Sequence, residues 1–217
     1  MKPIIAMIMS GFWLTACQSP DTKTPSAPIS KTADSQQTGT ASSVKHTPSP
    51  PLVTAARKQI GVTTSYDPTY RNLAFPMGDV NQHTGVCTDV VIRAYRTQGK
   101  DLQALVNQDM KKAWQAYPSI WGLTKPDTNI DHRRVPNLEV FFRRHGQVLS
   151  TTDEHSFKAG DIVTWRLTVK GQKLPHIGIV SDRSTHESTP LIIHNIGRGT
   201  EESDILYAYP ISGHYRY

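Results

Sequence analysis

Cys87 and nine histidines are the groups in this 217-residue chain whose types suit nucleophilic and general-base chemistry. A thiol reacts as its anion, so it needs a lowered pKa and a base within reach. Cys87 stands near the head of Gly85-Val86-Cys87-Thr88-Asp89-Val90-Val91-Ile92-Arg93-Ala94-Tyr95-Arg96. That segment is too apolar for an exposed helix face, which predicts a central, buried helix beginning near Cys87 and stopped by Gly99. Unpaired N–H groups and the dipole at a helix start favour a thiolate. Gly85 lets the chain turn tightly just before it.

Position narrows the histidines to two. His176 enters the apolar run Ile177-Gly178-Ile179-Val180, where a strand would hold it as the base. His194 lies 18 residues on, in Leu191-Ile192-Ile193-His194-Asn195-Ile196. Adjacent strands would bring His194 or Asn195 behind His176, to fix its tautomer and support its charge. Alternation puts those two side chains on opposite faces, so only one of them can orient the base. Asp89 follows the thiol by two residues, about 160° away around a helix, and is expected to meet the basic loop Asp131-His132-Arg133-Arg134. That loop is a candidate clamp for a substrate carboxylate, since arginine binds carboxylates through paired hydrogen bonds. Other roles for the same residues are an inert buried thiol, a salt-bridged surface loop, and a zinc site of His83, Cys87, His176 and His194. No CxxC or HExxH spacing supports zinc, and neither a metal nor a cofactor is expected.

The elements that must position these groups are legible in outline. A first helix is expected from about Leu52 into Gln59, with a turn at Gly61 and a Pro- and Gly-punctuated loop after it. After Asp101, apolar residues at helical spacing predict a further helix to about Tyr117. Pro136 suits the first position of another helix, with Leu138, Phe141 and Phe142 on its apolar face and Gly146 at its end. The strands Ile162 to Leu167, Ile177 to Val180 and Leu191 to Ile196 follow. Helices first and a small antiparallel sheet second make the expected class α+β.

The first fifty residues are of another kind. Ile4 to Ala16 is a 13-residue, mostly apolar run behind Lys2, shorter than the roughly 20 residues a bilayer span needs. It reads as a secretory signal and ends Leu14-Thr15-Ala16-Cys17, which resembles the lipobox of bacterial lipoproteins. That resemblance implies cleavage after residue 16, a lipid on Cys17, and anchorage to the outer membrane facing the periplasm. Residues 18–50 hold 18 Ser, Thr and Pro in 33 positions and no aromatic residue, the composition of a disordered tether. Residues 51–217 are then a single domain, taken as a monomer. With Cys17 lipidated, Cys87 has no disulfide partner in an oxidising compartment. The domain's formal charge of +4 is far from a nucleic-acid footprint.

Cys87 opening a helix, Gly160-Asp161-Ile162-Val163 opening the sheet, and His176-Ile177-Gly178-Ile179-Val180 resemble the papain-like, NlpC-type cell-wall cysteine peptidases. Gly-Val-Cys-Thr-Asp (85–89), Asn-Ile-Asp-His-Arg-Arg-Val-Pro-Asn (129–137) and His-Asn-Ile-Gly (194–197) resemble more closely a bacterial domain family of unknown function. The NlpC resemblance implies a papain-like fold with Cys87 as nucleophile, His176 as base, and His194 or Asn195 orienting it. The implied substrate is an amide bond in a peptidoglycan stem peptide, cut by an endopeptidase or amidase. NlpC-type enzymes place an acidic residue before the cysteine, whereas here Val86 precedes it and Asp89 follows. Rival expectations are a thiol acyltransferase or lipid deacylase of the same fold, which predicts an apolar groove, and a non-catalytic wall-binding module, which predicts no groove.

Overall fold

The computed structural model describes residues 50–217. The signal-like run, Cys17 and the tether up to residue 49 lie outside the described residues. Among the described residues four α-helices come before the main sheet. α1 (Pro51–Arg57) starts on proline, whose missing N–H costs nothing in a first helical turn, and buries Val53, Ala55 and Ala56. Two short strands, β1 (Ser65–Tyr66) and β2 (Thr84–Gly85), pair in parallel and deliver the chain to α2 (Cys87–Arg96). Eight of the ten residues of α2 are buried, which is why its sequence shows no polar face. Asp89 caps it by accepting a hydrogen bond from the Val86 N–H at 2.7 Å.

α3 (Leu102–Lys112) is capped by Asp101, which accepts from Gln103 N–H. It ends five residues short of the expected Tyr117, and Trp114–Ala116 forms a 3-10 turn instead. Pro118 disfavours helical geometry at Tyr117. The Tyr117 hydroxyl folds back to donate to buried Asp109 at 2.7 Å. A second 3-10 turn, Asp131–Arg133, leads into α4 (Val135–His145), which begins one residue before Pro136.

The rest is β-structure: β3 (Gln147–Val148), β4 (Ile162–Val169), β5 (Gln172–Ser184), β6 (Pro190–Asn195), β7 (Thr200–Ser203) and β8 (Ile211–Arg216). They form one sheet in the order β3-β8-β4-β5-β6-β7, with every pair antiparallel. β5 is far longer than the four residues its apolar run suggests. It continues into a hairpin with β4 whose turn, Lys170-Gly171, takes positive φ at both residues, the geometry that matches strand twist.

Sheet alternation builds two cores. Ile162, Ile177, Ile179 and Ile193 face the helices and pack with Val90, Val91, Leu138 and Phe142. Val163, Trp165, Val180 and Ile192 face the other way, beneath Phe157 and Leu206. Asp161 ties the start of β4 to β8, accepting from His214 Nε2 at 2.9 Å and from Arg216 Nε at 2.7 Å. The described residues therefore form a mixed α/β protein with four α-helices and a six-stranded antiparallel sheet. Among the described residues no helix is long and apolar enough to cross a membrane.

Candidate functional site

Cys87 is the first residue of α2 and is only 4% exposed, yet it lies in the wall of a cleft of about 390 Å³. A larger depression, about 630 Å³, lies between α1 and α2 beside Lys58, Gln59 and Gln98, but the thiol does not line it. The smaller cleft is the one the thiol lines, and neither imidazole reaches its lining. Its walls are mostly apolar, with Ile120, Trp121, Ile130, Val135 and Leu174 around the thiol.

The thiol meets β5 at the peptide joining His176 to Ile177, whose N–H hydrogen-bonds to the sulfur. Burial pushes the thiol up to about 12, and the Asp89 charge adds to this. The N–H groups of Ile177, Thr88 and Cys87 pull the other way. The helix start was expected to lower the thiol pKa. Its N–H groups do act in that direction, but removal of the thiolate from water outweighs them. At rest the thiol is neutral.

β5 and β6 are neighbours, and this joins the two predicted histidines. His176 Nε2 lies 3.1 Å from His194 Nδ1, with the rings at 89°. His194 Nε2 is in turn 2.7 Å from Ser203 Oγ on β7. The Trp165 ring, centred 5.8 Å from that of His176, covers it. Burial drives His176 down to about 3, helped by His194, and His194 down to about 4. Both are neutral, and no hydrogen bond joins the thiol to either ring. Asn195 is not behind His176: it faces away and donates to Gly85 O at 3.1 Å, tying β6 to the turn before Cys87. Strand alternation, which allows only one of the two residues to stand there, selects His194.

The polar loop does not converge as a four-residue clamp. Arg133 grips Asp89 through Nε and Nη2, both at 2.9 Å, in a pair whose side chains are almost fully buried. Thr88 Oγ1 donates to Arg133 O at 3.0 Å, which locks the loop to the thiol-bearing turn. Asp131 accepts from Asp127 N–H and pairs with Arg134 at 3.0 Å. The Arg134 guanidinium lies 4.1 Å over the Trp121 ring at the cleft. His132 is buried outside the cleft lining, pushed down to about 4 by burial and by Arg133. Of the loop, only Arg133 and Arg134 reach the cleft, because a tight turn sends successive side chains in different directions.

His83 points its Nδ1 at Val62 O, 3.1 Å away, and no group of three His, Cys, Asp or Glu able to hold a metal occurs among the described residues. Sequence reasoning missed Ser203, Tyr66, Trp121 and Trp165. Ser203 sits in the short polar run Thr-Glu-Glu-Ser, which carries no periodic signal. Tyr66 lines the cleft near Cys87 and Asp89, and burial, then the Asp89 charge, raises its pKa.

No solved structure is significantly similar to the chain. The chain is 48% identical over 218 residues to the uncharacterized protein YijF of Escherichia coli (strain K12), an alignment covering 100% of this chain and 98% of the relative. The family described as a domain of unknown function, DUF1287, matches residues 53–217, every element from α1's Val53 to β8, and the chain belongs to that family.

Proposed function

We propose that the protein is a cysteine-dependent amide hydrolase of papain-like build, acting on peptidoglycan stem peptides at the cell envelope. One observation carries this: a thiol at the head of a buried helix opens on a cleft and meets the strand bearing His176, behind which His194 and Ser203 form a hydrogen-bonded chain. In this mechanism a bound substrate closes the cleft. His176 takes the thiol proton on Nδ1, and the sulfur attacks the amide carbonyl. The Cys87 N–H and a neighbouring donor stabilise the oxyanion. His176 then protonates the leaving amine, and water hydrolyses the thioester. The resting thiol and imidazole are both neutral, so the ion pair is a minor form in the free protein and becomes the main one in the closed complex. Arg134 on Trp121 offers a cation at the rim for a stem-peptide carboxylate. A lipid on Cys17 and the polar tether would hold the domain at the outer membrane within reach of an insoluble wall. No nucleic acid is a partner.

The test is digestion of purified peptidoglycan by the full chain, with Cys87→Ala and His176→Ala alongside and products weighed by mass spectrometry. New stem-peptide fragments that both variants abolish are expected. No fragments from folded protein whose Cys87 also resists alkylation would leave a wall-binding module. The apolar cleft walls favour one second reading, thiol acyl transfer or deacylation of a lipid. Release of fatty acid from phospholipid vesicles, with peptidoglycan untouched, would select it.

A further inference from the structure

Ser203 is the one member of the hydrogen-bonded chain that nothing in the sequence singled out, and its chemistry bears on the tautomer of both imidazoles. His194 is fully buried, so each of its ring nitrogens needs a protein partner: Nδ1 has His176 and Nε2 has Ser203 Oγ. Two arrangements satisfy the chain. If Ser203 donates to His194 Nε2, then His194 Nδ1 carries its proton and donates to His176 Nε2. The proton of His176 then sits on Nδ1, which can accept nothing. If His194 Nε2–H donates to Ser203 Oγ, then His194 Nδ1 accepts from His176 Nε2–H, and His176 Nδ1 is a bare base. Once His176 takes a proton, only the second arrangement survives, because an imidazolium carries N–H on both nitrogens.

We propose, on the footing that Cys87 and His176 react as above, that Ser203 is a positioning residue. As hydrogen-bond acceptor it holds His194 as the Nε2–H tautomer and so keeps His176 Nδ1 free to take the thiol proton. One proton moves, from Cys87 Sγ to His176 Nδ1, and the other two hydrogen bonds keep their sense. The half-buried Ser203 turns its own hydroxyl hydrogen outward. Of the titratable groups on the packed elements, Glu201 from β7 stands beside His194, and Cys87 from α2 reaches β5 at the Ile177 N–H next to His176. Glu201 lies opposite His194 in the ladder and pairs with Arg198 at 3.5 Å. Trp165 from β4 covers His176 without charge.

The test compares the full chain with Ser203→Ala and Ser203→Thr by two readouts that need no substrate. The first is the ¹⁵N shifts of His176 and His194, which report the tautomers. The second is the pH dependence of iodoacetamide alkylation, followed at the Cys87 peptide by mass spectrometry. Ser203→Ala should move the His194 proton from Nε2 to Nδ1 and slow Cys87 alkylation at pH 7 about tenfold, one unit in apparent thiol pKa. Ser203→Thr, which restores the hydroxyl on a residue suited to a strand, should match the parent in both. Unchanged tautomers and alkylation in folded Ser203→Ala would overturn the role of Ser203, whatever the fate of peptidoglycan. Tautomers that follow Ser203 in a protein that cleaves no peptidoglycan would instead uphold it and remove only the stem-peptide reading.

Discussion

Asp89 has two partners that compete for nothing: one oxygen caps α2 at Val86 N–H, and both receive the Arg133 guanidinium. The pair is buried, so neither charge has water to fall back on. Arg133→Met should therefore cost about 3–5 kcal/mol in denaturant unfolding, because Asp89 is left charged and unpaired. The double change Asp89→Asn with Arg133→Met should recover most of that loss. A double variant no more stable than Arg133→Met alone would show that the loop is held by something else. The composition of the 131–134 loop made a ligand clamp the natural expectation. It could not show that Arg133 is already used inside the protein, since a guanidinium looks the same in sequence whether it faces a carboxylate of its own chain or one arriving from outside.

At the scale of elements, β5 shows how much the motif His-Ile-Gly-Ile-Val reveals and where it stops. Its apolar centre announces a buried strand, but the polar ends that extend the hairpin to Gln172 and Ser184 are invisible to hydrophobic alternation. Gly178 has a steric reason: a Cβ there would lie 2.5 Å from Ile192 Cγ2 and 3.1 Å from Ile193 O. Gly178→Ala should push β6 away from β5 and cost about 1–3 kcal/mol. It should also lengthen the His176–His194 contact and so slow alkylation of Cys87. A variant of parental stability and reactivity would mean that β6 gives way freely. β7 and β8 escaped notice because edge and half-exposed strands such as Thr-Glu-Glu-Ser carry little apolar pattern.

At the scale of the whole molecule, buried histidines set the response to acid. His132, lowered from an ordinary 6.5 to about 4, is neutral in the fold and binds a proton on unfolding below 6.5. The unfolded state then holds more protons, so stability is full above pH 6.5 and falls as pH drops toward 4. His176 and His194 act with the same sign. Asp161 and Glu139, held below the ordinary carboxylate range by His214, Arg216 and Arg166 against the effect of burial, extend the loss at lower pH. Their contribution is present above the ordinary carboxylate pKa and disappears as pH falls through the lowered value. Unfolding free energies from urea titration should be level from pH 7.5 to 6.5 and then fall toward pH 5 by up to about 1.4 kcal/mol per pH unit for each buried histidine, with the urea midpoint falling alongside. His132→Gln should flatten part of that slope, and a midpoint indifferent to pH over this range would contradict the burial assigned to these rings.

The sequence by itself determined the order of helices and sheet, the head of the buried helix at Cys87, and the two histidines on neighbouring strands. Each is written in local pattern, as apolar density, glycine stops and β-branched runs, and local pattern is what backbone geometry reads. Only the tertiary structure decided that His194 rather than Asn195 stands behind His176, because strand alternation excludes one without naming it. It also decided that the thiol rests protonated, since desolvation depends on everything packed around the sulfur. Ser203 and Tyr66 joined the site through the pairing of β7 with β6 and of β1 with β2, and β7 and β1 are short or polar strands whose residues carry no apolar pattern to announce them.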